Sequence, residues 1–112
     1  MILWHNPRCS KSRQALALLD ARGVTVTVRK YLEDAPSLEE LRAAQEALGL
    51  PAIGMMRSGE AAFREMGLSK TDSDATLLAA MAQEPKLIER PVLFAGGKAV
   101  IGRPPECVLE LL

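Results

Sequence analysis

The sequence predicts an α/β domain with a mixed sheet and a helical insertion, and three observations carry that prediction. The chain opens with a strand-helix-strand order. Met1–Trp4 is apolar enough for a buried strand, Ser10–Arg22 places Ala15, Leu16, Leu18 and Leu19 at helical spacing, and Val24–Tyr31 alternates valines with polar residues. Two strands joined by a crossover helix pair in parallel. Near the other end, Val92–Ala95 and Lys98–Ile101 flank Gly96-Gly97, which reads as a tight hairpin and therefore an antiparallel pair. Between them, Ala52 to Glu84 reads as helical throughout.

Each element has its own start and stop signals. Asn6-Pro7 ends the first strand, and Gly23 is a helix stop. Ser37 with Glu40 forms a capping box, after which Leu38, Leu41, Ala44 and Leu48 mark a helix that ends at Gly49-Leu50-Pro51. Gly54, Gly59 and Gly67 punctuate short segments, with Met55, Met56 and Met66 as core fillers. A better helix runs from Asp74 to Gln83 with Leu77, Leu78 and Met81 on its apolar face. Pro104-Pro105-Glu106 opens a last helix, on which Cys107, Val108, Leu111 and Leu112 read as one core-facing stripe. This order is that of a thioredoxin-like or glutaredoxin-like fold. We expect one domain over residues 1–112 with a helical insertion at about 51–84. Fold does not supply function, which has to come from a site.

Composition narrows the classes. The chain has 14 basic and 14 acidic residues, so no global field draws it to nucleic acid or to an anionic membrane. No apolar run reaches the ~18 residues of a transmembrane helix, and the amino terminus lacks the charged region and cleavage site of a signal peptide. A cytoplasmic protein is expected. Two cysteines, Cys9 and Cys107, are too few for a disulfide scaffold, and with a single histidine they offer no metal cluster, so no metal and no bound cofactor are expected.

The residues His5-Asn6-Pro7-Arg8-Cys9-Ser10-Lys11-Ser12-Arg13 carry the chemistry. Cys9 falls at a predicted helix start, where unpaired backbone N–H groups and the macrodipole favour an anion and hold a thiolate below the pKa of a free cysteine. Arg8, Lys11 and Arg13 surround it, and no acidic residue precedes Asp20. A cysteine serving only as a small buried hydrophobe would gain nothing from these cations. Ser12 stands where a dithiol enzyme would carry its second cysteine, so the site is monothiol, and its hydroxyl could donate to a thiolate one turn back. His5 could add positive charge or relay a proton.

Six segments, in order, resemble the glutaredoxin-coupled arsenate reductases of the ArsC type. They are the His5–Arg13 run, Tyr31-Leu32-Glu33 before Pro36-Ser37, Arg57 in Met55-Met56-Arg57-Ser58, Phe63–Leu68, Ile88-Glu89-Arg90-Pro91-Val92 and Gly102-Arg103-Pro104-Pro105-Glu106. The resemblance covers essentially the whole chain. It implies that Cys9 is the nucleophile, that His5 and Ser12 assist it, and that Arg57, Arg90 and Arg103 bind the substrate oxyanion. Guanidinium forks suit a tetrahedral oxyanion because they grip it bidentately and stay charged. Arg90 and Arg103 each precede a proline, which restricts their backbone, and in thioredoxin-like folds the equivalent of Pro91 is cis and faces the active thiol. The resemblance further implies arsenate as substrate, glutathione as co-substrate and glutaredoxin as partner. Cys107 as an internal resolving thiol is the alternative to that external reductant. Two other classes share the sequence features: a general glutathione-linked thiol oxidoreductase, and an interaction protein akin to relatives that bind RNA polymerase. Those regulators typically have a paired redox cysteine or lack the Gly-Arg-Pro element.

Overall fold

Strands β1 (Ile2–Trp4), β2 (Thr27–Arg29), β3 (Val92–Ala95) and β4 (Lys98–Ile101) form one sheet in the order β2-β1-β3-β4 in the computed structural model, which describes Met1–Leu112. β1 pairs with β2 in parallel and with β3 antiparallel, and β3 pairs antiparallel with β4 across Gly96-Gly97. The sheet is mixed, as the sequence predicts. The strands are shorter than their hydrophobic patterns. Because Asn6-Pro7 stops β1 after Trp4, β2 finds a ladder partner only over Thr27–Arg29. The ladder is closed at its ends by Thr27 N–H to the Met1 carbonyl (2.9 Å) and His5 N–H to the Arg29 carbonyl (2.8 Å). Val24 and Val26, expected in the strand, instead pack against the core beside it.

Helix α1 (Ser10–Ala21) connects β1 to β2. It ends in a Schellman motif: Gly23, at φ 70°, donates to the Asp20 carbonyl and Val24 to the Leu19 carbonyl, each at 3.0 Å. One core holds α1, the sheet and the carboxyl-terminal segment together. Leu3 faces Leu93 across the β1–β3 pair, and both are fully buried with Ala15, Leu19 and Val108. The last segment, Pro105–Leu111, is a 3₁₀-helix, and this changes which residues face inward. A period of three puts Pro105, Val108 and Leu111 in one row. The first two are buried and Leu111 is half-buried, whereas Cys107 is half-buried off that row and Leu112 is exposed. The expected stripe of Cys107, Val108, Leu111 and Leu112 is therefore corrected. On the opposite face of the sheet, Trp4 lies 4.7 Å from Phe94 with the Arg29 guanidinium 5.9 Å from its ring centre.

These elements form one compact unit, Met1–Asp34 with Arg90–Leu112, and Ala35–Glu89 forms a second. The second unit contains α2 (Leu38–Leu48), α3 (Ala61–Glu65) and α4 (Asp74–Gln83), with 3₁₀ turns at Ala52–Met55 and Pro85–Leu87. The capping box on α2 is complete, with Glu40 N–H donating to Ser37 Oγ (3.1 Å) and Ser37 N–H to Glu40 Oε1 (3.0 Å). Helix is not continuous from 52 to 84. Gly67 terminates α3 at φ 68°, and the tract is held by specific bonds rather than by one long ladder. Asp74 accepts from Gln45 Nε2 (2.8 Å) and from Ala52 N–H (3.1 Å), fastening α2, the first 3₁₀ turn and α4 together. No helix is long and apolar enough to cross a membrane.

Candidate active site

The site grows from the turn between β1 and α1. Asn6 Oδ1 accepts from Arg8 N–H at 3.0 Å, the Asn6 carbonyl accepts from Cys9 N–H at 3.0 Å, and Pro7 has no N–H to place. Cys9 is thereby set as the N-cap of α1, in extended conformation (φ −92°, ψ 122°), with its carbonyl accepting the first helical bond from Arg13 N–H. At an N-cap, side-chain atoms face the orphan N–H groups of the first turn. Partial burial of Cys9 raises its thiol pKa. The Ser12 N–H, the Arg90 guanidinium and the Lys11 N–H outweigh that effect and hold it below the ordinary cysteine value. The positive surroundings are local: Arg8, Lys11 and Arg13 are exposed around the turn, with Arg13 Nη1 tied to the Pro7 carbonyl at 3.0 Å.

Arg90, two residues before β3, acts on the Cys9 thiol. The Arg90–Pro91 peptide is cis, as the resemblance leads one to expect, and so is Arg103–Pro104. Gly102 N–H donates to the Pro91 carbonyl at 2.9 Å, joining the end of β4 to the start of β3. A Cβ at position 102 would lie 2.8 Å from Pro91 Cγ and 2.9 Å from Val108 Cγ1, so only glycine permits this approach. Arg103 follows directly, and its Nη1 donates to the Arg90 carbonyl at 3.3 Å. Two guanidinium side chains are thus brought to one end of the sheet, Arg90 on the sulfur and Arg103 against Arg90.

Two expectations about the assisting residues are corrected. Ser12 is fully buried and its hydroxyl contacts His5 Nδ1 (2.6 Å) and Asn6 N–H (3.1 Å); it is the Ser12 backbone N–H, not the hydroxyl, that favours the thiolate. His5 adds no positive charge. It is 5% exposed, and burial, with the nearby Lys30 and Arg13 charges, pushes its pKa down, so the imidazole is neutral. Arg57 belongs to the second unit, where its Nη1 bonds Glu60 Oε2 at 2.8 Å and its Nε lies 3.7 Å from Glu89 Oε1. Both cysteines are free thiols. Burial pushes the Cys107 thiol up, and the neighbouring Glu110 and Glu106 carboxylates push the same way, so it is the less reactive of the two. The titratable side chains form no group suited to a metal ion. Sequence reading did not single out Asn6, whose side chain and carbonyl both shape the turn, or the steric demand at Gly102. An Asn-Pro pair before the cysteine was the available signal for the first.

The arrangement offers a half-buried thiol held toward its anion, helix N–H donors and guanidinium groups, which together suit nucleophilic attack on a small oxyanion. The sequence model of the ArsC family matches residues 4–111. An arsenate reductase of Neisseria meningitidis serogroup A is 49% identical over 113 residues, covering 98% of this chain and 96% of that protein. An arsenate reductase of Haemophilus influenzae is 42% identical over 114 residues, covering 100% and 98%. Among solved structures, an arsenate reductase from Vibrio cholerae superposes with a TM-score of 0.95 at 50% identity, covering 99% of this chain and 96% of that one.

Proposed function

The chain belongs to the ArsC family, and from that premise we propose that it is an arsenate reductase whose nucleophile is Cys9 and whose external reductants are glutathione and glutaredoxin. One observation carries the site assignment. The thiol of Cys9 sits where the first turn of α1 and the Arg90 guanidinium both favour its anion, with Arg103 held beside Arg90. The Cys9 thiolate attacks arsenic, Arg90 and Arg103 offset the charge of the oxyanion, and an oxygen leaves as water to give a thiol-arsenate adduct. A glutathione thiolate then attacks the Cys9 sulfur. A sulfur–sulfur bond forms, the arsenic–sulfur pair stays on arsenic, and As(V) becomes As(III) and departs as arsenite. The mixed disulfide on Cys9 is reduced by thiol exchange with glutaredoxin. Arg57 enters as a third oxyanion ligand from the family resemblance.

A single serine at position 12 supports an external reductant, because the site holds no neighbouring thiol to resolve the adduct. The test is arsenite production from arsenate with glutathione and glutaredoxin. Turnover by the wild type and none by Cys9→Ser is expected; wild-type turnover no higher than the variant's overturns the proposal. Arsenite formed with another thiol donor but not with glutathione and glutaredoxin would retain the reductase and remove that coupling.

A further inference from the structure

Arg57 is an arginine whose grip is already taken. A guanidinium offers two edges to a bidentate anion, one through Nε and Nη2 and one through Nη1 and Nη2. Glu60 Oε2 accepts from Nη1 at 2.8 Å, and Glu89 Oε1 lies 3.7 Å from Nε, so each edge has a carboxylate at one of its two positions. All three side chains are half-buried. Two negative charges answer one positive charge there, and a dianionic oxyanion meets both carboxylates beside the donors it needs.

The backbone holds this arrangement within Ala35–Glu89. Met56 and Ile88 form an antiparallel bridge, closed by Arg57 N–H on the Leu87 carbonyl and Glu89 N–H on the Met55 carbonyl, each at 2.8 Å, which sets Arg57 and Glu89 on facing segments. Glu60 comes from the turn after Arg57, with its N–H on the Arg57 carbonyl at 3.1 Å. It is the N-cap of α3, yet its side chain makes no bond to that helix, and the carboxylate goes to Arg57 instead.

We infer that Glu60 and Glu89 are specificity-determining residues that screen Arg57 from free oxyanions, so that an oxyanion gains this third guanidinium only by displacing a carboxylate. The inference rests on Arg57 being an oxyanion ligand. Its consequence is weak non-covalent binding of tetrahedral dianions of arsenate's size, phosphate included. Phosphate matches arsenate in shape and charge, so a stronger grip by guanidinium groups would hold both alike and distinguish neither. The screen leaves discrimination to the step that arsenate completes and phosphate does not, reduction through the Cys9 sulfur. An interaction gained only as that step proceeds accelerates it, whereas one gained equally in binding does not.

Protection of Cys9 from iodoacetamide by inorganic phosphate tests the screen without turnover. Alkylation of each protein is followed with and without phosphate, at constant ionic strength set with sodium chloride, and thermal melting identifies the folded variants. The phosphate concentration that gives half protection should fall by about twofold to fivefold in Glu60→Gln and in Glu89→Gln, the effect of removing a partly exposed ion pair, and further in the double variant. KM for arsenate should fall with it. In an Arg57→Ala background Glu60→Gln should change nothing, because the screened group is gone. Unchanged or weaker phosphate protection in the folded variants overturns the inference. So does an equal gain in the Arg57→Ala background, which would make the effect one of net charge. Tighter phosphate binding in variants of a protein that forms no arsenite would remove the reductase reading and keep the screen; arsenite formation with phosphate binding unmoved would do the opposite.

Discussion

At Cys9 burial and stabilisation act in opposite directions, and the balance decides whether the thiol is a nucleophile at neutral pH. Desolvation disfavours the thiolate, while the Ser12 and Lys11 N–H groups and the Arg90 guanidinium favour it by more. The thiolate is the reactive form, and its fraction falls as pH drops through the Cys9 pKa. Since that pKa lies below the ordinary cysteine value, the alkylation rate of Cys9 should reach half its plateau at lower pH than that of a free cysteine. Arg90→Ala should move the midpoint back up, and a stopped-flow alkylation series reads both. Arg103 is exposed and bonded to the Arg90 carbonyl, so its loss leaves the thiol itself largely intact. Arg103→Ala should lower kcat/KM for arsenate by about tenfold to a hundredfold, the range for a lost charged hydrogen bond. Exchange between Cys9 and a small glutathione mixed disulfide should change little. Equal loss in both assays would favour a general thiol oxidoreductase.

Among the elements, the sheet's short strands place the site. β1 stops at Trp4, which leaves His5 through Arg8 to make the turn that caps α1 with Cys9. On the neighbouring strands, Gly102 lets the end of β4 approach Pro91 closely enough to hold Arg90 and Arg103 together. Gly102→Ala should destabilise the protein by about 1–3 kcal/mol, as overpacking does, because the clash is with a proline ring and a buried valine. Turnover should fall with it. Denaturant unfolding and the arsenate assay together check this; an alanine variant with unchanged stability would mean that the segment yields freely.

For the whole molecule, basic and acidic residues balance, so the positive charge contributed by Arg8, Lys11 and Arg13 near Cys9 is a local feature, and the two thiols differ in kind. Cys9 is held toward its anion. Cys107, off the buried row of the last 3₁₀-helix, is held toward its neutral form by burial and two glutamates. Oxidation with glutathione disulfide should therefore add one glutathione, on Cys9, and Cys107→Ser should leave arsenate turnover within about twofold, since it removes no group near the sulfur. Intact-mass spectrometry with peptide mapping reads the first. A Cys9–Cys107 disulfide in the monomer would instead make Cys107 the resolving thiol.

Amino-acid order alone determined the mixed sheet, the helix beginning beside Cys9, the α2 capping box, the limits of α4 and the candidate nucleophile with the cations Arg8, Lys11 and Arg13 beside it. These depend on local signals: apolar periodicity, Asn-Pro and Gly breaks, Ser-x-x-Glu, and cations close in sequence. Tertiary structure decided what depends on partners far along the chain. Strand lengths came from where β1 could pair. The inward row of the last segment came from a 3₁₀ rather than an α period, which packing on the core selects. The Ser12 hydroxyl turned from Cys9 to His5 because His5 arrives at the end of β1 within hydrogen-bond reach of it, and burial, with the Lys30 and Arg13 charges nearby, holds His5 toward its neutral form. Such facts reside in contacts, and a linear pattern records a residue's type and spacing but not the atom it meets.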